Sequence, residues 1–335
     1  MIKKTVYPRI GFLGNPSDGF FGKTISFPFR NFKAEVVLWS SEQLKFIPNV
    51  EDQEEFSGVA DLFEVTQTQG YYGGIRLLKA ATSVFYRYCK KEKIKLAKKN
   101  FSIVYRSNIP MQRGLAGSSA IVIGTLKALI DFYQIGEKTI LPAILSGIAL
   151  EAEVRELGIT AGLQDRVVQS YEQPVYMDFS KGAFAKNAGA FGSYKPFSKE
   201  LLPPMGLVWS QSMSESGKVH SDIRSRFENG DPEVISAMEK FAQIAESGME
   251  ALKKGDFDKI CQLINTNFDL RRQLYGDRVV GRDNIEMIEK ARKLGAAAKF
   301  PGSGGAVLFV AKENKIDKIV LKLSEFGYKS ERVII

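Results

Sequence analysis

The sequence predicts an α+β chain, and three observations carry that prediction. Strand-like alternation of period two and helix-like spacing of three and four residues interleave without strict βαβ regularity. A length of 335 residues exceeds what one hydrophobic core usually serves, which points to two domains or two lobes. Composition shifts over residues 181–204, a stretch rich in Gly, Lys, Ser and Pro, so the lobes are expected at 1–195 and 196–335.

The elements follow in order. Thr5 to Leu13 reads as one strand, closed by the turn-rich run Gly14-Asn15-Pro16-Ser17-Asp18-Gly19. Phe32, Ala34 and Val36 alternate with Lys33 and Glu35, as in a half-buried strand. Leu77, Ala81, Phe85 and Tyr88 recur at helical spacing, and Phe101 to Tyr105 returns to strand alternation. The apolar run Ala120 to Leu129 predicts a buried helix with a serine near its N-cap. Leu141 to Leu157 predicts another helix, a third opens around Gly162-Leu163-Gln164-Asp165, and Val175 to Phe179 is strand-like. The second lobe reads as a strand at 207–210, helices near 232–254, 257–274 and 283–294, and a strand near Ala297. The loop 300–305, the strand Ala306 to Val310, a helix carrying Ile316, Ile319, Val320 and Leu323, and a last strand ending at Ile335 complete the chain.

Composition narrows the chemistry. Lys and Arg outnumber Asp and Glu by 47 to 38, a net charge of +9 that attracts anions such as a nucleotide, a sugar acid or nucleic acid. The basic residues are scattered, however. Their densest run, Lys90 to Lys99, closes a predicted helix, where cations complement the dipole, so charge alone does not select nucleic acid. Cys89 and Cys261 are the only cysteines and lie far apart in helix-like patterns, which suggests a reducing compartment rather than a disulfide framework. Arg9, Gly14, Pro16 and Asp18 interrupt any apolar leader, and no stretch reaches the roughly 20 apolar residues that span a bilayer. A cytoplasmic protein without a membrane partner is expected. His220 is the sole histidine, so a His-rich zinc site is excluded, and any Ser-His or Cys-His nucleophile would have to use it. Carboxylates, cations, hydroxyls and backbone amides are left to do the chemistry.

Three glycine-rich segments offer such amides. Pro110-Met111-Gln112-Arg113-Gly114-Leu115-Ala116-Gly117-Ser118-Ser119-Ala120 sets small residues directly before an apolar helix. There a phosphate can reach backbone N–H groups at the positive end of the helix dipole, and two hydroxyls stand ready for phosphate or Mg²⁺. A tight turn with a serine cap is an equal reading from spacing alone. Lys299-Phe300-Pro301-Gly302-Ser303-Gly304-Gly305-Ala306 lies between two predicted strands and by itself reads as a hairpin turn. Gly11 to Asp18 follows the first strand with polar side chains at its tip. Two decoys fall away. Gly22-Lys23-Thr24 resembles the end of a Walker A loop, but position 17 is Ser17 rather than glycine and no helix pattern follows. Gly117-Ser118-Ser119-Ala120-Ile121 lacks the second glycine of a nucleophile elbow.

The order of these segments resembles the GHMP kinases. Pro110 to Ala120 is similar to their second motif, Arg9 to Asp18 to the first, Lys299 to Ala306 to the third, and Gly162-Leu163-Gln164-Asp165 to the segment bearing the catalytic Asp. Within the superfamily the sequence most resembles the glucuronokinases over nearly its whole length. That likeness is carried by Leu13 to Asp18, Gly70-Tyr71-Tyr72-Gly73-Gly74, Ala161 to Val167, Met177 to Lys181, Ser216 to Ser221 and Asn267 to Arg272. Asn15-Pro16 stands where galactokinases carry Glu-His, and Arg166 where a Gln commonly follows the Asp. Both departures fall near the acceptor.

The resemblance implies a two-lobed fold, with a left-handed βαβ crossover in the N-terminal lobe, a ferredoxin-like C-terminal lobe and a cleft between them. It implies ATP and Mg²⁺ as cofactors and a sugar or uronate as the small-molecule partner of a monomer or homodimer, with no nucleic acid. The implied reaction is phosphorylation of an anomeric hydroxyl, with D-glucuronate the expected acceptor. Galacturonate, a neutral hexose or a heptose phosphate are the alternatives within the family, and a non-catalytic nucleotide- or nucleic-acid-binding protein is the alternative outside it. By the same resemblance Asp165 is the general base, Arg9 the adjacent cation, and Glu153 with Ser118 or Ser119 the Mg²⁺ ligands. Gly114, Leu115, Ala116, Gly117, Ser118 and Ser119, flanked by Pro110 and Ala120, wrap the triphosphate, joined by Gly302, Ser303, Gly304 and Gly305. Asn15 and Asp18 are candidates for the sugar hydroxyls. A uronate carboxylate calls for a cation, ideally a bidentate Arg, and Arg166, Lys218, Arg271 and Arg272 are all available. Each role has a plainer competitor: a dipole-complementing Asp165, an edge-strand Arg9, structural arginines. Glu151, two residues from Glu153, is expected to face elsewhere, and His220 is left outside the mechanism.

Overall fold

A computed structural model describes residues 1–49, 52, 56–60, 62, 73–136, 138–210 and 220–335. Lys218 and the stretches 70–72 and 216–219 lie outside the described residues. Packing divides the chain into two compact units that interleave along the sequence. The first comprises Met1–Pro8, Phe32–Met111 and Ala116–Ser170, and the second Arg9–Asn31, Gln112–Leu115 and Tyr171–Ile335. The division therefore does not follow chain order as 1–195 and 196–335 does. The hairpin over 9–28 pairs with the strand at 175–178 and joins the later residues.

In the first unit, strands β1 (Ile2–Val6), β4 (Ala34–Ser41), β6 (Asn100–Ser107) and β5 (Lys45–Phe46) form one sheet in that spatial order. β4 is antiparallel to both neighbours, while β5 runs parallel to β6. The helix α1 (Ile75–Lys91) lies between β5 and β6 in the chain, so these three elements make a βαβ crossover. α1 buries Leu77, Leu78, Ala81, Val84 and Phe85 and places Lys90 and Lys91 in its last turn, as its spacing predicts. α2 (Gly117–Phe132) packs on β1 and β4 and is apolar almost all round, so most of its length is buried. α3 (Pro142–Glu151) runs into a single π-helical turn, Ala152–Glu156, and α4 (Gln164–Tyr171) follows.

In the second unit, β2 (Arg9–Leu13), β3 (Lys23–Pro28), β7 (Val175–Asp178) and β8 (Ser193–Pro196) form one antiparallel sheet. β10 (Ala297–Lys299), β11 (Ala306–Val310), β9 (Met205–Trp209) and β12 (Lys329–Arg332) form another. The unit's longer helices are α5 (His220–Glu228), α6 (Pro232–Lys254), α7 (Phe257–Tyr275), α8 (Arg282–Lys293) and α9 (Glu313–Glu325). Val208, Phe268, Met287, Ile288, Phe309 and Ile316 belong to its main core, in which Phe268 and Phe300 meet edge to face. α6 and α7 start on aspartate caps: Asp231 Oδ1 accepts from the amide of Glu233, and Asp256 Oδ1 from that of Lys259, both at 3.0 Å. No helix among the described residues is long and apolar enough to cross a membrane.

Four local expectations are corrected. The strand read as Thr5 to Leu13 breaks between Val6 and Arg9 into members of two sheets; Pro8 has no N–H to give a ladder and restricts Tyr7. The helix beginning at Gly117 is capped by Ala116 in a left-handed conformation without a side-chain cap, so the serines sit inside its first turn. The helix read through Leu157 stays α-helical only to Glu151. The last strand ends at Arg332 rather than Ile335.

Candidate active site

In the first unit the chemistry gathers behind the start of α2. Along the chain that leads into it, Gln112 and Gly114 of the second unit and Ala116 of the first have φ of 54°, 64° and 65°. All three have the positive φ that glycine adopts most readily. Ala116 bears that conformation without the freedom of glycine, and its carbonyl is held in place. It accepts from Gln169 Nε2 at 2.9 Å, Ser119 Oγ at 3.1 Å and the amide of Ala120 at 3.2 Å. Ser119 is thereby turned back onto its own turn, whereas Ser118 Oγ donates to Glu153 Oε1 at 2.7 Å.

Glu153 is wholly buried, presented by the π-helical turn. Its second oxygen accepts from Arg166 Nε at 2.7 Å and also from Arg166 Nη2. The remaining Arg166 nitrogen, Nη1, donates to Gly162 O at 2.7 Å and lies 3.5 Å from Asp165 Oδ2. One guanidinium thus links two carboxylates, Glu153 and Asp165, both named from the sequence. Asp165 stands in the first turn of α4 with its side chain 16% exposed, open to a reactant. Ser118 Oγ and Glu153 Oε1 are adjacent hard oxygen donors. They fit Mg²⁺ of the kind that takes few protein ligands and completes its shell with phosphate and water oxygens. Glu151 turns outward to Arg87 at 2.7 Å, as expected.

In the second unit three cations with almost no solvent exposure surround the glycine-rich loop after β10. Lys299 Nζ donates to Phe300 O at 2.6 Å, and Arg9 Nη1 to Pro301 O at 3.0 Å. Arg271 Nη1 donates to Gly302 O at 2.7 Å and its Nη2 to Ser303 O at 3.2 Å. Four consecutive carbonyls are therefore turned toward positive side chains. In a trans peptide the C=O and the following N–H point in opposite directions, so the amides of Gly302, Ser303 and Gly304 face away from the cations. Arg9 Nη1 also donates to Gly114 O at 2.7 Å, which ties this loop to the start of the phosphate-type loop. The two backbones approach so closely that a Cβ on Gly302 would lie 2.0 Å from Gly114 O, and one on Gly114 2.7 Å from the Ser303 nitrogen. Only glycine fits at either position.

The Gly14–Asp18 turn is pinned from the same side. Asn267 Oδ1 accepts from Gly14 N at 2.8 Å, and its Nδ2 donates to Asn15 O at 3.1 Å. The Asn15 side chain is buried, with Oδ1 accepting from Lys299 Nζ at 2.6 Å. Asp18, in the one-turn 3₁₀ helix Ser17–Phe20, remains partly open, and its charge interacts favourably with Arg271. The guanidinium of Arg271 lies over the rings of Tyr275 and Phe300, 5.3 and 5.2 Å from their centroids. Burial pushes the pKa of Arg271 down, and that of Lys299 further down, with both arginines adding repulsion at Lys299.

Of the basic residues considered for a carboxylate, Arg166 and Arg271 both donate to protein acceptors. Arg272 is not brought to either cluster's interior: it faces solvent and pairs with Asp277 at 2.6 Å and Glu289 at 3.4 Å. Reading the sequence assigned no role to Lys299, Asn267 or Gln169. The available signals were a lysine between Ala298 and Phe300, inside an apolar strand, and the place of Lys299 and Asn267 in stretches that carry the family likeness.

Comparison with known proteins gives consistent findings. The GHMP kinases N terminal domain family matches residues 76–173, and the GHMP kinases C terminal family residues 249–329. Glucuronokinase 1 of Arabidopsis thaliana is 48% identical to this chain, over 93% of this chain and 85% of its own length. Probable glucuronokinase 2 of the same plant is 48% identical over 92% of this chain and 83% of its own. Among solved structures, the mevalonate kinase of Methanococcus jannaschii superposes with a TM-score of 0.71 at 16% identity, covering 100% of this chain and 98% of its own. The galactokinase of Lactococcus lactis complexed with galactose gives 0.73 at 14% identity, covering 99% and 93%. These two structural likenesses concern the fold alone.

Proposed function

The chain belongs to the GHMP kinases, and from that premise we propose that it transfers the γ-phosphoryl group of ATP to the anomeric hydroxyl of D-glucuronate, giving the 1-phosphate. The observation that carries the chemistry is the continuous run Ser118–Glu153–Arg166–Asp165 in the first unit. It supplies a hydroxyl, a buried carboxylate, a guanidinium and an accessible carboxylate in hydrogen-bonding order. The substrate is proposed from the likeness to the two plant glucuronokinases.

Asp165 accepts the proton of the sugar's anomeric hydroxyl as that oxygen bonds to the γ-phosphorus; the bond from the γ-phosphorus to the β,γ-bridging oxygen breaks, and ADP leaves. Arg166 holds Asp165 in place and offsets its negative charge. The N–H groups at the α2 N-terminus receive the phosphates, with Pro110 to Ala120 the loop that presents them. Ser118 and Glu153 would hold Mg²⁺ alongside the nucleotide phosphates, and the ion would supply positive charge against them. Gly302, Ser303 and Gly304 add amides to an anionic ligand, Gly305 lets their loop pack against Gln112, and Asp18 receives sugar hydroxyls. The protein works on a small molecule, as a cytoplasmic monomer or homodimer.

A coupled ADP-release assay with Mg·ATP and a panel of acceptors tests this reading. Turnover is expected to be strongest with glucuronate, and Asp165→Asn is expected to lower kcat by at least about 100-fold while still binding ATP. Stronger turnover with galacturonate, a neutral hexose or a heptose phosphate would move the error to the acceptor. Absence of ADP above background with every acceptor would sink the kinase.

A further inference from the structure

Lys299 is the most confined cation in the second unit, and no catalytic step uses it. Its side chain is fully buried, so it cannot touch nucleotide or sugar. Its Nζ has three acceptors: Gly11 O at 2.8 Å, Asn15 Oδ1 at 2.6 Å and Phe300 O at 2.6 Å. Two of these belong to the segment Arg9–Asp18 and the third opens the loop 300–305. An ammonium group has three hydrogens and no lone pair, which matches three oxygens; a neutral amine would turn a lone pair toward one of them. Arg271 and Arg9 add like-charge repulsion at Lys299. A buried ammonium among cations, held only by neutral oxygens, is costly for stability alone. Its place is better explained by what it joins.

We propose that Lys299 is a positioning residue for phosphoryl transfer, fastening the Arg9–Asp18 loop to the Phe300–Gly305 loop so that Arg9, Asp18 and the amides of Gly302–Gly304 keep one arrangement. Asn15 is part of the same device. Its side chain binds Lys299 rather than sugar, and Asn267 clamps the peptide groups on either side of it. Arg9 closes the chain of contacts onward to Gly114.

This inference rests on the kinase reading, which turnover by the parent protein tests separately. Lys299→Met keeps an unbranched side chain and removes all three donors, whereas Asn15→Ala removes one acceptor. Displacing reacting groups by about 1 Å costs on the order of 100-fold in rate. The Lys299→Met protein is therefore expected to lose on the order of 100-fold in kcat, with KM for ATP and acceptor each within about threefold of the parent. Asn15→Ala is expected to lose about tenfold, and the double variant to be no slower than Lys299→Met alone, as for groups acting as a unit. Kcat is taken per nucleotide-binding site, so a smaller folded fraction does not imitate the effect. Amide exchange supplies a readout independent of turnover: protection at Gly11 and Gly14 and protection at Gly305, whose amides are hydrogen-bonded, should fall together in Lys299→Met. A folded Lys299→Met with kcat within threefold of the parent, or with only one loop loosened, overturns the proposal. If Lys299→Met does not fold, Asn15→Ala decides, and unchanged kcat with unchanged exchange at Gly305 overturns it.

Discussion

Glu153 has no exposure to solvent, and both its oxygens are engaged, one by Ser118 and one by Arg166. A buried pair of this kind adds little net stability over a well-packed apolar pair, but removing one partner strands the other. Arg166→Met is accordingly expected to destabilise the protein by about 3–5 kcal/mol in urea titration. Adding Glu153→Gln should recover much of that stability without restoring turnover. Full recovery of turnover would show that Asp165 depends on neither the guanidinium nor the Glu153 carboxylate. The two thiols behave in a simpler way. Burial raises both Cys89 and Cys261 to about 11. Near pH 8 only about one thiol in a thousand is then ionised, so both should alkylate slowly in the native protein and rapidly once it is unfolded, as mass spectrometry would record. Because the folded values are raised, the stabilisation from these neutral thiols is complete below their unfolded pKa. It is lost as pH climbs through about 11.

Among the elements, the helices of the second unit lie nearly where their apolar spacing puts them. The ranges read as 232–254, 257–274 and 283–294 correspond to Pro232–Lys254, Phe257–Tyr275 and Arg282–Lys293. Period and caps are local signals, so they survive without knowledge of partners. Removing the cap with Asp256→Ala should cost about 1 kcal/mol, read as a lower urea midpoint with an unchanged slope. Elements defined by their partners were less legible. Nothing in the run Thr5 to Leu13 except Pro8 announces that its halves enter different sheets. Nothing in the smooth apolar run of the α3 region announces the π-helical turn that presents Glu153. The loop 300–305 reads as a hairpin turn because its sequence is that of one. That three cations turn its carbonyls to one side depends on residues as distant in sequence as Arg9 and Arg271.

At the scale of the molecule, the two packing units interleave, and the phosphate-type loop runs from Met111 in the first, through 112–115 in the second, to Ala116 in the first again. A ligand gripping that loop must stabilise the folded state. Mg·ATP at about 100 times its Kd is expected to add about 2.7 kcal/mol to the unfolding free energy, in the parent and in Asp165→Asn alike. A nucleic-acid binder would instead be stabilised by DNA or RNA in a steeply salt-dependent way. Absence of any ATP effect would remove the nucleotide from the site, whatever the family.

The sequence by itself determined the family and most helix bounds, and it singled out the glycine-rich loops and the carboxylates Glu153 and Asp165 as candidates, because these reside in residue identity, short spacing and periodicity. Only the tertiary structure decided which side chains face which. It placed Arg166 on Glu153 and Asp165, set Arg272 outside, made Asn15 a partner of Lys299, and turned the carbonyls from Phe300 to Ser303 toward buried cations. Those outcomes depend on desolvation and on hydrogen bonds between residues up to 292 positions apart, which no local pattern encodes.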